Sequence, residues 1–350
     1  MKKIIALILS LIVCISLNGC YDSKEISRIA FVIAVGFDEN SYSFQIIKPS
    51  AFEGDGSDSS PLLTETVFAS NVYDAMNKLN SKVSETCDYS HMKMVIFSRN
   101  VLEKGIEKEI DAMLKSNEFH PNTNIAMCEG KVSDYMKNME IPLDANPAEY
   151  YENISGYEFT QYSPDTQLKD IQKEYPSHIV GCVIPIINNS GMVITSNFKL
   201  SGTADENQTL IYNLLKKPGF DGNFTVANGI VVNFKKTYCD FKINMSENPP
   251  NITVELALEG NIVWSETNTD SKNIEKYAKA KIDKDVKNFL HKCSDSYNAD
   301  ILEFHKLAKV NYLTMQSWEK ENWQKLFENA TYTVRTDIKI KRNAQTLDKE

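Results

Sequence analysis

Beyond its first 19 residues, this chain of 350 has no apolar run near the roughly 20 residues a helix needs to cross a hydrocarbon core, so no later segment reads as membrane-spanning. It has no Gly-rich phosphate loop, no His-Glu-x-x-His helix and no Gly-x-Ser-x-Gly turn, which removes the sequence grounds for phosphate-loop, zinc-protease and α/β-hydrolase chemistry. Histidine is scarce, and the five present, His91, His120, His178, His291 and His305, lie far apart. Lys and Arg total 38 against 47 Asp and Glu, a formal net charge of -9 that repels nucleic acid and anionic lipid alike. Cysteine is sparse: besides Cys14 and Cys20, only Cys87, Cys128, Cys182, Cys239 and Cys293 occur, singly scattered and odd in number. That is no disulfide framework, and each reads as a small buried hydrophobe. Repeats and low-complexity segments are absent, and the Asn-x-Ser/Thr triplets are chance matches in an Asn-rich chain.

What is present begins with Lys2 and Lys3, an uncharged, largely apolar run over residues 4–17, and then Asn18, Gly19 and Cys20. A basic start, an apolar stretch of about 16 residues and a small residue before the cut describe a secretory signal rather than a spanning helix. Leu17-Asn18-Gly19-Cys20 resembles a lipobox, at which diacylglycerol is attached to the cysteine sulfur before cleavage. The expectation is therefore a signal peptide over 1–19, lipid attachment at Cys20 and a polar tether over 20–28. Loss of Lys2 and Lys3 with the leader lowers the formal -9 by two, to -11. Surface charge then opposes membrane adsorption, and the lipid has to provide it.

A body of about 330 residues exceeds one comfortable core, so two or three domains are expected. Residues 29–37 and 42–47 read as a hairpin, 53–60 as a loop and 66–83 as a helix with Val67, Val72, Ala75, Met76 and Leu79 on one face. Strands at 92–97 and 122–128 alternate with helices at 101–114 and 132–138, an α/β pattern. Residues 140–177, with Pro142, Pro147 and Pro164, form a linker or small subdomain containing two short helical stretches. A second unit from 178 to 345 starts with strands at 179–187 and 192–200, a helix at 205–215, and strands at 224–234, 241–244 and 252–263. Ile274, Ala278, Ile282, Val286, Leu290 and Cys293 then mark one face of a long helix. Helices at 301–310 and 318–327 and a strand at 332–340 close the chain. The fold class expected is a mixed α+β and α/β, multidomain protein with mixed sheets, packed helices and the long C-terminal helix against a sheet.

Cys87 and His91 are the one nucleophile-like pair, but four residues align side chains on a helix and this stretch leads into a strand, so both read as core or turn residues. Trp318, Trp323 and Phe327 are spaced to dock a ligand or partner, or to anchor a short helix to the core, and the second reading is preferred.

Several short stretches together resemble the Ger(x)C family, the C-subunit lipoproteins of spore germinant receptors. They are Tyr21-Asp22 after the lipidated cysteine, Gly36-Phe37-Asp38 at the end of the first strand, and Ser90-His91-Met92-Lys93 before a strand. Ala299-Asp300-Ile301-Leu302-Glu303-Phe304, the helix of Trp318, Trp323 and Phe327, and the final strand 334–340 complete the set. His305 and Asn343-Ala344 stand where the family tends to carry glycine. The resemblance implies a non-enzymatic receptor component without cofactor or metal. It would be held through diacylglyceryl-Cys20 on the outer face of the spore inner membrane, beside two integral membrane subunits of A and B type. His91 and Asp300 are the polar residues it singles out, both expected to be structural. The rival readings are a lipid-anchored solute-binding protein, which needs two similar βα lobes around a cleft, and an extracytoplasmic hydrolase, for which no nucleophile and base assemble.

Overall fold

The computed structural model describes residues 29–47, 62–139, 147–154, 160–172, 181–227, 229–266 and 270–342. Cys20, the leader 1–19, the tether 20–28, the loop 53–60, His178, the expected domain boundary at 177/178 and Asn343-Ala344 lie outside the described residues.

The expected hairpin forms from β1 (Ile29–Phe37) and β2 (Ser41–Ile47), closed where Phe37 pairs with Tyr42 around the Asp38 to Asn40 turn. The helix expected over 66–83 starts later. Leu62–Phe68 forms β3, which pairs with β2 along its whole length, and α1 spans Val72–Asn80. Sheet pairing holds the β-branched Thr64, Thr66 and Val67 in extended backbone. Asn71 then sets the helix start by accepting the Asp74 N–H at 3.0 Å.

β4 (Thr86–Asp88), β5 (Met94–Ser98), α2 (Arg99–Lys104), α3 (Glu107–Lys115), β6 (Asn124–Cys128) and α4 (Val132–Lys137) follow. The helix expected at 101–114 is two, because Gly105 adopts a φ of +105° that no helix continues through. The sheet runs β3-β2-β1-β5-β6, with β4 also pairing β1, and β5 and β6 are parallel to β1 and to each other. Every residue of β5 is buried: Val95 and Phe97 face one core, Met94 and Ile96 the other. A parallel strand covered on both faces reads as a continuous apolar run. The two short helices of the Pro-containing segment, α5 (Pro147–Asn153) and α6 (Leu168–Gln172), bury Tyr151 in one of these cores and Leu168 and Ile171 in the other.

β7 (Gly181–Pro185), β8 (Met192–Ser196) and β9 (Lys199–Ala204) make a small antiparallel sheet. The single strand expected at 192–200 is a tight hairpin, since Asn197 and Phe198 both take left-handed backbone at φ 51° and 59°. This sheet sits between two cores: Cys182, Ile184 and Val193 join the core of the first sheet, and Val183, Met192 and Ile194 join that of the last.

α7 (Glu206–Lys216) opens with an Asp205/Gln208 capping box. β10 (Asp221–Ala227), β11 (Ile230–Asn244), β12 (Asn251–Ser265) and β13 (Thr331–Arg342) form the last sheet in that order. The strand expected at 224–234 is instead a hairpin, with Gly229 at φ +71° in its turn. β13 runs parallel to β12, which requires a crossover. The connection is α8 (Ser271–His291), a π-turn at Lys292–Ser296, α9 (Phe304–Lys309), α10 (Met315–Glu319) and α11 (Trp323–Glu328). The expected face of α8, Ile274, Ala278, Ile282, Val286 and Leu290, is buried, and the helix packs on β13 and β10. The fold is thus mixed α+β and α/β, multidomain, with the long C-terminal helix against a sheet.

Candidate functional site

Each stretch that carries the resemblance takes a definite place. Gly36 lies where an added Cβ would meet Val132 Cγ1 at 2.4 Å, so only glycine lets α4 sit down on β1. Asp38 then caps that helix, its two carboxyl oxygens accepting the Val132 and Ser133 N–H groups at 3.0 Å each. Ser90 to Lys93 form the turn into β5, bent by Asp88, whose Oδ1 accepts the Ser90 N–H at 2.8 Å. His91 emerges exposed from this turn with its ring edge-on to Phe31, centroids 5.1 Å apart. Lys93 stitches β1 to β6 by its backbone, donating to Ile33 O at 2.8 Å and accepting from Asn124 N–H at 3.0 Å.

Asp300 is the hub of the C-terminal layer. Its side chain has no solvent exposure, and it accepts the Phe304 N–H at 2.8 Å, the His305 N–H at 2.7 Å and the Trp323 Nε1–H at 3.2 Å. His305 Nδ1 lies 3.0 Å from the same Oδ2, so the residue at the usual glycine position adds a contact of its own. Asp300 therefore starts α9 and ties it to α11. Trp323 and Phe327 are buried and stacked at 5.8 Å, while Trp318 is half-buried 6.0 Å from Trp323. Trp323 and Phe327 thus anchor one helix, α11, as the sequence reading prefers, but the single helix expected over 318–327 is two, and Trp318 lies on α10, which buries no residue. The segment before Asp300 docks on the small sheet: Ser196 Oγ donates to Asn298 O at 3.1 Å and Tyr297 OH to Thr203 O at 3.1 Å. A Cβ at Gly181 would lie 2.5 Å from the Ala299 Cβ, so β7 needs glycine there.

Residues far apart in sequence, Ser90 to Lys93 on one side and Ile301 and Glu303 on the other, line one cleft of about 910 Å³ between the first sheet and the C-terminal layer. Sequence reasoning did not bring them together, because their meeting depends on the small sheet wedged between two cores. The cleft is polar and its charges are matched: Lys93 pairs with Glu152 at 2.5 Å, Lys217 with Asp165 at 2.5 Å and Lys216 with Glu303 at 2.9 Å. Burial of Glu303 disfavours its charge, but Lys306 and Lys216 outweigh this and bring its carboxyl down to about 2. Glu303 also holds left-handed backbone at φ 63°.

Cys87 and His91 are not brought together as a catalytic pair. Cys87 is buried in β4 and its thiol is pushed up to about 11, first by burial, whereas His91 stands in the exposed turn beyond. A thiol this hard to ionise is a poor nucleophile near neutrality. Cys128, Cys182 and Cys293 are buried as expected, and Cys239 is half-buried.

Two family models match end to end: "Spore germination protein N-terminal domain" over residues 22–189 and "Spore germination B3/ GerAC like, C-terminal" over residues 189–344. Relatives in Bacillus subtilis (strain 168) include the putative spore germination protein YfkR, 21% identical over 94% of both chains. Spore germination protein B3 is 18% identical over 93% of this chain and 94% of its own, and spore germination protein KC is 23% identical over 53% of this chain and 48% of its own. The crystal structure of the GerBC protein superposes with a TM-score of 0.54 at 14% identity, covering 87% of this chain and 96% of that one, a shared fold. The order of motifs, the fold and both domain matches agree: the chain belongs to the GerAC-like family of spore germination proteins.

Proposed function

We propose that this protein is the lipid-anchored C-type subunit of a spore germinant receptor, non-enzymatic, acting with A- and B-type integral membrane subunits in the response to small-molecule nutrients. The observation that carries the reading is the pair of consecutive germination-family matches beginning at residue 22, directly after the lipobox-like Leu17-Asn18-Gly19-Cys20. No helix among the described residues is long and apolar enough to cross a membrane, which fits attachment through diacylglycerol at Cys20. In this reading 1–19 is the cleaved leader, 20–28 the tether, 29–177 the N-terminal domain and 178–345 the C-terminal domain, on the outer face of the spore inner membrane. The matched charges of the cleft and the Asp300 hub suit a scaffold whose polar residues hold its layers together.

The experiment is Cys20→Ala in the full chain. Each buried methylene contributes about 0.8 kcal/mol, and two acyl chains hold a protein stably where one does so marginally. The variant is expected to leave the spore membrane fraction or stay uncleaved. Germination through the receptor is expected to fail, because the subunit loses its local concentration beside its partners. A processed Cys20→Ala protein that stays membrane-bound and supports normal germination would overturn the proposal.

A further inference from the structure

α9 turns its apolar residues inward, with Phe304 and Ala308 buried, and the chain immediately after it does the opposite. Val310 is 78% exposed, Leu313 102% exposed and Met315 half exposed, and α10, which follows, buries no residue. The tip is built. The Asn311 and Tyr312 N–H groups donate to Ala308 O and Lys309 O at 3.0 and 3.1 Å, and the Asn311 amide donates to Leu307 O at 3.0 Å. Thr314 and Ser317 cap each other, Ser317 N–H donating to Thr314 Oγ1 at 3.1 Å and Thr314 N–H to Ser317 Oγ at 3.3 Å. An ordered turn that holds three neighbouring apolar side chains in water forgoes the burial such side chains gain elsewhere in the protein.

The surroundings say what covers it. Residues 304–318 contain no carboxylate, although the whole chain carries a net charge of -9; Glu303 and Glu319 border the segment, and Glu321 acts on Tyr312 from beyond it. Exposed Lys306 and Lys309 flank the tip on one side, Lys306 also pairing with Glu303 at 2.6 Å. The half-buried rings of Tyr312 and Trp318 meet edge-on at its base, 5.4 Å apart. An apolar tip, a base of amphipathic aromatics and exposed lysines beside them match the layering of a bilayer interface.

We infer that the 310–315 tip inserts into the bilayer surface as a second, weak contact beside the lipid anchor and thereby sets the orientation of the C-terminal domain. This rests on the lipid-anchored reading above. The tip orients rather than holds the protein, since three partly inserted side chains act against an acidic body.

The test uses the full-length lipidated protein in vesicles of phosphatidylcholine and phosphatidylglycerol, with an environment-sensitive fluorophore on Leu313→Cys or, for comparison, on Tyr277→Cys. Tyr277 is half exposed on α8, and lies roughly 20 Å along that helix from its C-terminal end. Unmutated protein supplies the blank, its described thiols being buried or half-buried. The label at 313 is expected to shift to the blue and lose most of its emission to nitroxide-bearing lipids, while the label at 277 keeps its own. Flotation with the vesicles, without any difference between the two labels, overturns the inference. Failure to float overturns the anchored reading and the inference with it.

Discussion

Asp300→Asn is the sharpest test of the C-terminal layer, because the substitution keeps the shape and changes only what the side chain accepts. In the native protein Oδ1 accepts the Phe304 N–H at 2.8 Å, and Oδ2 accepts the His305 N–H at 2.7 Å and the Trp323 Nε1–H at 3.2 Å. An asparagine oxygen serves only one side: facing Phe304 it leaves the His305 and Trp323 donors against its NH₂, and facing those two it leaves only the Phe304 N–H. Each donor left buried without an acceptor costs about 1–3 kcal/mol, so the second, less costly orientation loses about 1–3 kcal/mol. That is a measurable fraction of the total of about 5–15 kcal/mol for a folded protein. The assay is denaturant unfolding followed by tryptophan fluorescence, with the slope compared to separate lost stability from a changed denatured state. A double-mutant cycle with Asp300→Ala, which removes both oxygens, isolates the indole bond. Trp323→Phe removes the N–H and keeps an aromatic ring, so the pair of substitutions should cost about 1–2 kcal/mol less than the sum of the singles. Additivity within about 0.5 kcal/mol would mean that the Asp300–Trp323 bond contributes nothing, and the hub would lose its reason.

The other two tests address the long helix and the cleft. Leu290 is fully buried on the α8 face, so Leu290→Ala should cost on the order of 2–5 kcal/mol, and an unchanged unfolding midpoint would place that face elsewhere. The Glu303 carboxyl sits at about 2 when folded, while an unfolded glutamate titrates near about 4.3. A depressed carboxyl stabilises the fold fully above the unfolded value and loses that contribution as pH falls toward the folded one. The stability gap between wild type and Glu303→Gln should therefore narrow between about pH 5 and pH 2, and a gap constant from pH 7 to pH 3 would remove the Lys216–Glu303–Lys306 cluster from the ledger.

Periodicity alone determined the elements that bury one face or two. The α8 stripe from Ile274 to Leu290 and the β5 run from Met94 to Ser98 are legible because a core imposes 3.6-residue or continuous apolar patterns on the sequence. The lipobox-like end at Cys20 and the order of short motifs likewise needed no structure to indicate a family. Element boundaries were less legible where backbone conformation, not composition, sets them. Gly105 splits one expected helix, Asn197 and Phe198 fold one expected strand into a hairpin, and β2 captures residues 66–68, expected in the following helix, as the end of β3. Tertiary structure alone decided the cleft and the hub. Ser90 to Lys93 meet Ile301 and Glu303 because β7 and β8 bury opposite faces in two different cores, and Asp300, whose other two donors are local, gains the Trp323 indole because the crossover brings α11 back to it. Those contacts join residues brought near by folding, and a sequence records a long-range hydrogen bond only as two polar residues with no visible tie between them.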